Sequence, residues 1–360
     1  MENLKEKEKF LNEEFNHIFN AYSDNDKIIF ENLKDLKELF LLVERYLIKL
    51  YKTYKNEELD YNKVIKINFN EKIEIINNFY HNLGIDFDVN KLINDGTFDI
   101  FALNIDSLIN NDGALTDGRQ GEADNHFYIS VFNSTLLTDA IIWVHEISHY
   151  RNDSLGIEPE IRRLLTEALA FTYEYIFIDY LDKIGYEYEG VLFKLNETKS
   201  LFRIIYDCYY VMNFLITYDT FGKISKENYL KLFSNNSYED DFKRFMYIID
   251  NIPIREIIQY SIAVPLAIYM YEEYKKDNSF ILKIEKLNES VKSKSLAECL
   301  NIIGIVNYNE NGLLDSQNIE KIKNALVNLN KEIENGLVKI YAKNNQNKKL
   351  WKIGKGLSIW

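Results

Sequence analysis

Apolar residues recur every three or four positions along most of this chain, which is the spacing expected of α-helices. The pattern covers residues 4–22 and resumes over residues 33–50 after a polar break at residues 23–26. These two segments predict an N-terminal helical hairpin over residues 1–60. The same period predicts further helices over residues 71–82, 161–184, 201–219, 238–250, 254–276 and 319–341.

The helical period is lost in the middle of the chain, where strands are expected. Residues 87–89 and 98–101 are short apolar segments, and residues 126–132 form a run rich in β-favouring side chains after the turn-like residues 117–121. The run 126–132 leads directly into the next predicted helix. We interpret it as an edge strand, which could pair with an extended peptide.

The helix that follows this strand carries two of the five histidines of the chain. His145 and His149 are four residues apart, so they share one face of the helix, and Glu146 follows His145 directly. The spacing His-Glu-x-x-His is typical of helices that hold zinc through both imidazoles. Because the surrounding residues are strongly apolar, the imidazoles need partners, and a metal would supply them.

This motif predicts a zinc site with Glu146 as the general base. Zinc with three protein ligands keeps a fourth position for water and lowers the pKa of that water to about 7. We expect one Zn²⁺ per chain. The alternative is a chance match, in which His145 and His149 are ordinary partly buried side chains and Glu146 is a solvated charge.

Charge and composition narrow the range of partners. The formal net charge of −13 disfavours nucleic acid and anionic membrane surfaces. The longest apolar stretches, residues 40–43 and 262–271, are shorter than the ~20 residues of a membrane span, and the charged N-terminus is unlike a secretion signal. Cys208 and Cys299 are isolated thiols. We therefore expect a cytoplasmic protein with reduced cysteines and no membrane span; the sequence does not indicate an oligomeric state.

The third metal ligand has several acidic candidates downstream of the motif. These are Asp153, Glu158, Glu160, Glu167, Glu174 and Asp179. Glu167 lies in an apolar helix that can return antiparallel to the motif helix, so its carboxylate could face the histidines. Glu174 is seven residues further along nearly the same face and could orient a ligand histidine through its second ring nitrogen. Alternatively, either glutamate forms a salt bridge with Arg162 or Arg163.

Several segments together resemble the thimet oligopeptidase and oligoendopeptidase F family of zinc metallopeptidases, over roughly residues 60–335. The resemblance rests on residues 166–170 with Glu174 and 179–181, on 118–121 followed by 126–136, and on 295–305 with 319–329. It implies that Glu167 is the third zinc ligand. It also implies a mainly α-helical, two-lobed zincin-like fold with a small β-sheet next to the zinc helix and a central cleft.

Two departures from this family pattern affect the expected activity. Family members have a larger N-terminal lobe, and they carry a histidine and tyrosines downstream that bind substrate and stabilise the oxyanion. This chain has no histidine after His149. In the corresponding stretch, residues 250–266, Tyr260 is the remaining candidate for the oxyanion donor. Four tyrosines of another predicted helix are alternatives, with packing roles equally open: Tyr206, Tyr209, Tyr210 and Tyr218.

The sequence therefore predicts a zinc metallopeptidase catalytic domain over residues 61–340, preceded by the helical hairpin and followed by a basic tail over residues 341–360. The leading hypothesis is a zinc-dependent oligopeptidase, or an endopeptidase dedicated to one peptide. The alternative is a weakly catalytic or non-catalytic peptide-binding protein that contains zinc. In either case the expected partner is a peptide.

Overall fold

The computed structural model describes residues 2–21, 65–102, 114–120, 125–133, 136–152, 163–250, 254–305 and 316–345. Within these residues the chain is mainly helical, as predicted. The helices are α1 (Glu2–Ala21), α2 (Phe69–Asn82), α3 (Val89–Asn94), α4 (Thr138–Asn152), α5 (Arg163–Lys183), α6 (Glu187–Phe221), α7 (Lys226–Leu232), α8 (Tyr238–Ile249), α9 (Ile254–Lys276), α10 (Ile281–Ser290), α11 (Leu296–Ile302) and α12 (Ser316–Asn345), with a 3₁₀ turn at Asn278–Phe280. The strands are β1 (Phe98–Ala102), β2 (Ala114–Gln120) and β3 (Asn125–Asn133).

One predicted helix and one predicted strand differ from the structure. The helix predicted over residues 201–219 is the second half of α6, which has 35 residues and ends at Gly222 with φ of 64°. The apolar face simply continues upstream through the buried Leu192 and Phe193. Residues 87–89 are not a strand, because the Asp88 side chain accepts a hydrogen bond from Asn90 N at 2.9 Å and begins α3.

The three strands form one sheet in the order β1-β3-β2. β1 is parallel to β3, and β2 is antiparallel to β3. The interpretation of residues 126–132 as an edge strand is therefore wrong, because β3 is hydrogen-bonded on both sides. The interpretation of residues 117–121 as a turn is also wrong for 117–120, since these residues pair along β3 from Asp117 opposite Tyr128 to Gln120 opposite Asn125. Among the described residues, β2 lies at one edge of the sheet.

Helix α4 packs between this sheet and α5, with contacts to β2, β3 and α5. Trp143, Val144 and Ile147 are fully buried. At its first turn, Asp139 accepts a bond from the buried Lys72 of α2 at 2.6 Å, and the Lys72 ammonium also lies 5.3 Å from the Trp143 ring centroid. Apolar packing and this ion pair together fix the position of the helix that carries the two histidines.

A helical bundle of α5, α6, α9 and α12 packs on the other side of α4. Its core is continuous with that of α1, where Leu11 and Phe15 are buried and the Phe15 ring packs edge-on against Tyr218 at 5.6 Å. Cys208 and Cys299 are free and buried, as predicted. Among the described helices, none is long and apolar enough to cross a bilayer. The predicted helix over residues 33–50 and the tail beyond Asn345 lie outside the described residues, while residues 341–345 continue α12.

Candidate metal centre

His145 and His149 lie one turn apart on α4, and their rings point to a common position. Their Nε2 atoms are 3.1 Å apart, and the ring centroids are separated by 4.8 Å. Both side chains have little solvent access, with 16% of His145 and 7% of His149 exposed. The helical period alone produces this arrangement, because residues four apart share a face.

Glu167 faces both histidines from the first turns of α5. One carboxylate oxygen lies 3.5 Å from His149 Nε2, and the other lies 3.7 Å from His145 Nε2. One donor atom from each of the three residues can be chosen so that all lie within 4.8 Å of one another. Two turns further along α5, Glu174 contacts His145. The later glutamate of α5 thus lies against the earlier histidine of α4. The two helices therefore run antiparallel.

The spacing of the three donors fits a metal ion. A tetrahedral zinc bound at about 2.0–2.1 Å holds neighbouring donors about 3.3 Å apart. The 3.1 Å between the two Nε2 atoms and the 3.5 Å from His149 Nε2 to one Glu167 oxygen are close to two edges of such a tetrahedron, and the other Glu167 oxygen lies 3.7 Å from His145 Nε2. Among the described residues, Glu167 Oε2 and His149 Nδ1 are also buried and have no hydrogen-bond partner. A buried carboxylate oxygen without a donor is costly, and a cation would compensate for it.

Glu174 is the residue that determines the tautomer of His145. Its carboxylate, on a side chain only 8% exposed, accepts a hydrogen bond from Nδ1 of His145, which leaves Nε2 to face the proposed metal position. Burial alone would lower the pKa of His145, but Glu174, followed by Glu146 and Glu167, raises it to about 10. In Glu167 the effect of burial is outweighed by the two histidines, which hold its pKa below the usual value. The site therefore favours a positive charge.

Glu197 of α6 is a neighbour of Glu174 that the sequence reasoning missed. Burial, together with the adjacent Glu174 carboxylate, raises the pKa of Glu197 well above its usual range. The raised pKa favours the protonated form of Glu197, which would limit the negative charge behind His145. Its signal in the sequence is weak, because a glutamate in a long helix is ordinarily solvated.

Glu146 and Tyr260 lie at the same centre. Glu146 is buried, with 8% exposure, and its charge acts on both His145 and Tyr260. The Phe171 ring lies 5.1 Å from the His145 ring and 6.2 Å from the Tyr260 ring, which places Tyr260 of α9 beside the motif. Burial, then Glu167, Glu256 and Glu146, raises the pKa of Tyr260. Its hydroxyl therefore stays protonated and can donate a hydrogen bond.

The other sequence candidates have different surroundings. Asp179 contacts the Lys194 ammonium in a separate charged cluster, and Asp153, Glu158 and Glu160 lie outside the described residues. The Tyr206 and Tyr210 hydroxyls are 2.9 Å apart and bond to each other. A cavity of about 1170 Å³ between α5, α6 and α12 is lined by Asp179, Lys194 and Glu332 rather than by the histidines.

The fold of the chain resembles solved peptidase structures. A protein from Bacillus anthracis str. Ames assigned as an oligoendopeptidase F matches with a TM-score of 0.57 and 12% identity over 88% of this chain. A Chlamydophila abortus protein assigned as a peptidase matches with a TM-score of 0.56 and 17% identity over 86% of this chain. The structure of PZ peptidase A with an inhibitor matches with a TM-score of 0.54 and 12% identity over 87% of this chain. The chain thus has a peptidase-type fold.

The likeness covers only part of those proteins. The chain spans 57%, 55% and 59% of their respective lengths. No protein-family model matches the chain, and no curated protein sequence is significantly similar to it. At identities this low, the solved structures define the fold alone, and the chemistry must be argued from the residues of this chain.

Proposed function

We propose that the protein is a zinc-dependent peptidase in which His145, His149 and Glu167 hold the metal. The observation that carries this proposal is the convergence of both imidazole Nε2 atoms and the Glu167 carboxylate beside a buried glutamate, with contacts of 3.1, 3.5 and 3.7 Å. A purely structural zinc has four protein ligands, whereas catalytic zinc has three and an open position. Glu146 next to that position is the further reason to propose catalysis.

Each residue of the centre has a distinct task in this proposal. When bound, zinc supplies Lewis-acid chemistry and lowers the pKa of a water molecule beside it to about 7. Glu146 takes a proton from the attacking water and returns it to the leaving amine. Glu174 holds the Nδ1 proton of His145 and keeps that ring oriented. Tyr260 donates its phenolic proton in a hydrogen bond to the oxygen on which negative charge develops.

The proposed substrate is a peptide in an extended conformation. The likeness of the fold to solved peptidases supports this substrate class. The topology moves the expected docking strand from β3 to β2, because β3 is already paired on both sides. An extended peptide beside β2 would lie next to α4, since β2 also contacts that helix.

Several finer expectations accompany this proposal. The central cleft between two helical lobes would restrict substrates by access, and the catalytic unit would comprise residues 61–340, with residues 341–360 as a tail. The cytoplasmic location stays a prediction from the sequence.

The proposal can be tested by comparing the zinc-loaded protein with its Glu146→Gln variant on a library of short peptides, with cleavage read by mass spectrometry. We expect cleavage by the wild type and a loss of at least ~10² in rate in the variant. The variant must bind one zinc per chain, because Glu146 is not a ligand. Equal cleavage by both proteins would contradict the role of Glu146.

A second candidate function is peptide binding with little or no hydrolysis. The observation that favours it is the absence of any histidine after His149, which leaves Tyr260 as the proposed oxyanion donor. In that case neither protein would cleave the library, and both would retain peptides at the zinc site. Competition of the retained peptides by a small zinc chelator would separate this outcome from non-specific binding.

A further inference from the structure

A buried guanidinium lies at the end of the motif helix, two residues beyond His149. The Arg151 side chain is 10% exposed, and its Nη2 donates to Oε2 of Glu285 at 2.5 Å. Glu285 belongs to α10, which packs against both α4 and α5. A hydrogen bond between a guanidinium and a carboxylate is strong and directional because both groups are charged. The C-terminal turn of α4 is therefore attached to a third helix.

The same carboxylate is bonded to α5. The other oxygen of Glu285 accepts a hydrogen bond from the hydroxyl of Tyr173. The Arg151 guanidinium also lies 5.4 Å from the ring centroid of Tyr173 and 5.4 Å from that of Tyr80. Cation–π contacts of this kind are stronger when they are shielded from solvent. Arg151, Glu285 and Tyr173 thus connect α4, α10 and α5 in one buried cluster.

Tyr173 directly precedes Glu174, the residue that contacts Nδ1 of His145. The contacts of Glu174 with His145 and of Glu167 with His149 both depend on how far α4 is displaced along α5. A slip of one residue moves a helix by about 1.5 Å, which is enough to lose both contacts. The cluster lies on the same two helices and holds them through atoms that are not ligands.

We infer that Arg151, Glu285 and Tyr173 act as positioning residues that fix the register of α4 against α5, and thereby the geometry of the metal centre. The inference rests on the proposed function, because it concerns the zinc site proposed above. Outer residues that orient metal ligands typically change metal affinity 10–100-fold. We expect about a tenfold effect here, because the cluster acts through Glu174 and the helix positions rather than by touching a ligand.

Tyr173→Phe is the primary test, and Tyr175→Phe is its matched control. Both variants remove one buried tyrosine hydroxyl from α5, on either side of Glu174. The Tyr175 hydroxyl bonds to Thr198 Oγ1 of α6 at 2.9 Å, rather than to Glu285. Zinc dissociation constants would be measured by competition with a chromophoric chelator, and the stability of each metal-free protein by urea unfolding.

The expected result is zinc binding about tenfold weaker in Tyr173→Phe and within about twofold of the wild type in Tyr175→Phe, at similar losses of stability. A second variant, Arg151→Lys, keeps the charge but loses the fork geometry, and it should weaken zinc binding in the same direction. Equal zinc affinities for Tyr173→Phe and Tyr175→Phe would overturn the inference alone. A wild-type protein that binds no zinc would overturn the proposed function as well.

Discussion

Replacing Glu174 with glutamine removes a buried negative charge beside His145 while it preserves the size of the side chain. Glu174 is buried, so solvent screens the interaction between its charge and His145 only weakly. The glutamine amide oxygen can still accept the Nδ1 proton of His145, so the change concerns charge rather than shape. Partners of this kind contribute 10–100-fold to metal affinity, and we expect the upper end, about 100-fold or about 2.7 kcal/mol.

The assay is a zinc competition titration at neutral pH with metal-free wild type, Glu174→Gln and Glu272→Gln. Glu272 is a suitable control because it is also buried, at 4% exposure. It lies on α9, twelve residues beyond Tyr260, and accepts a hydrogen bond from Lys275 at 3.3 Å. Zinc affinity should fall in Glu174→Gln and stay within about twofold of wild type in Glu272→Gln. If Glu174→Gln binds zinc as tightly as the wild type, the charge of Glu174 does not support zinc binding through His145.

Three further predictions concern other parts of the structure. Tyr260→Phe should lower kcat on a cleaved peptide by about 10²–10³ with little change in KM or zinc content; an unchanged kcat would exclude Tyr260 as the oxyanion donor. In the metal-free protein the pKa of His145, about 10, exceeds the ordinary 6.5, so its contribution to stability is complete below 6.5 and is lost as the pH rises through about 10. Urea midpoints should fall across this window, and a flat profile would contradict the raised pKa. Lys194→Met removes an ammonium group that contacts Asp179 and lies 2.7 Å from a Glu332 oxygen. This change should lower the free energy of unfolding by about 3 kcal/mol, and a loss below about 1 kcal/mol would show that solvent replaces the lysine.

The helical body and the two histidines could be predicted because both depend on local periodicity. The predicted helix over residues 254–276 has the bounds of α9, and the spacing of His145 and His149 alone brings their rings to one face. Glu174 was a candidate on the same argument, since it lies two turns beyond Glu167. Helical spacing translates directly into geometry, whatever the rest of the chain does.

The strand interpretations failed where pairing rather than local pattern decides. Residues 126–132 look the same as an edge or a central strand, and β3 is central only because β1 and β2 bind it on opposite sides. Asp117 and Gly118 favour a turn by composition, yet their pairing with β3 keeps them extended. Sheet order is set by contacts between distant segments, which no single window of sequence contains.

The residues of other helices that support the metal centre could not be predicted from the sequence either. Glu197 and Glu285 are single charges on helices far along the chain, and nothing nearby distinguishes them from solvated surface glutamates. Their roles follow from burial beside Glu174 and Arg151, which requires the packing of α6 and α10. Long-range packing is thus the part of the site that sequence periodicity does not encode.

We propose above that His145, His149 and Glu167 hold one zinc ion. Crystals of the zinc-loaded protein, measured on both sides of the zinc absorption edge, test it directly. We expect one anomalous peak per chain, about 2.0–2.2 Å from Nε2 of His145, Nε2 of His149 and a carboxylate oxygen of Glu167. A peak at other residues, or no peak between α4 and α5, would contradict it.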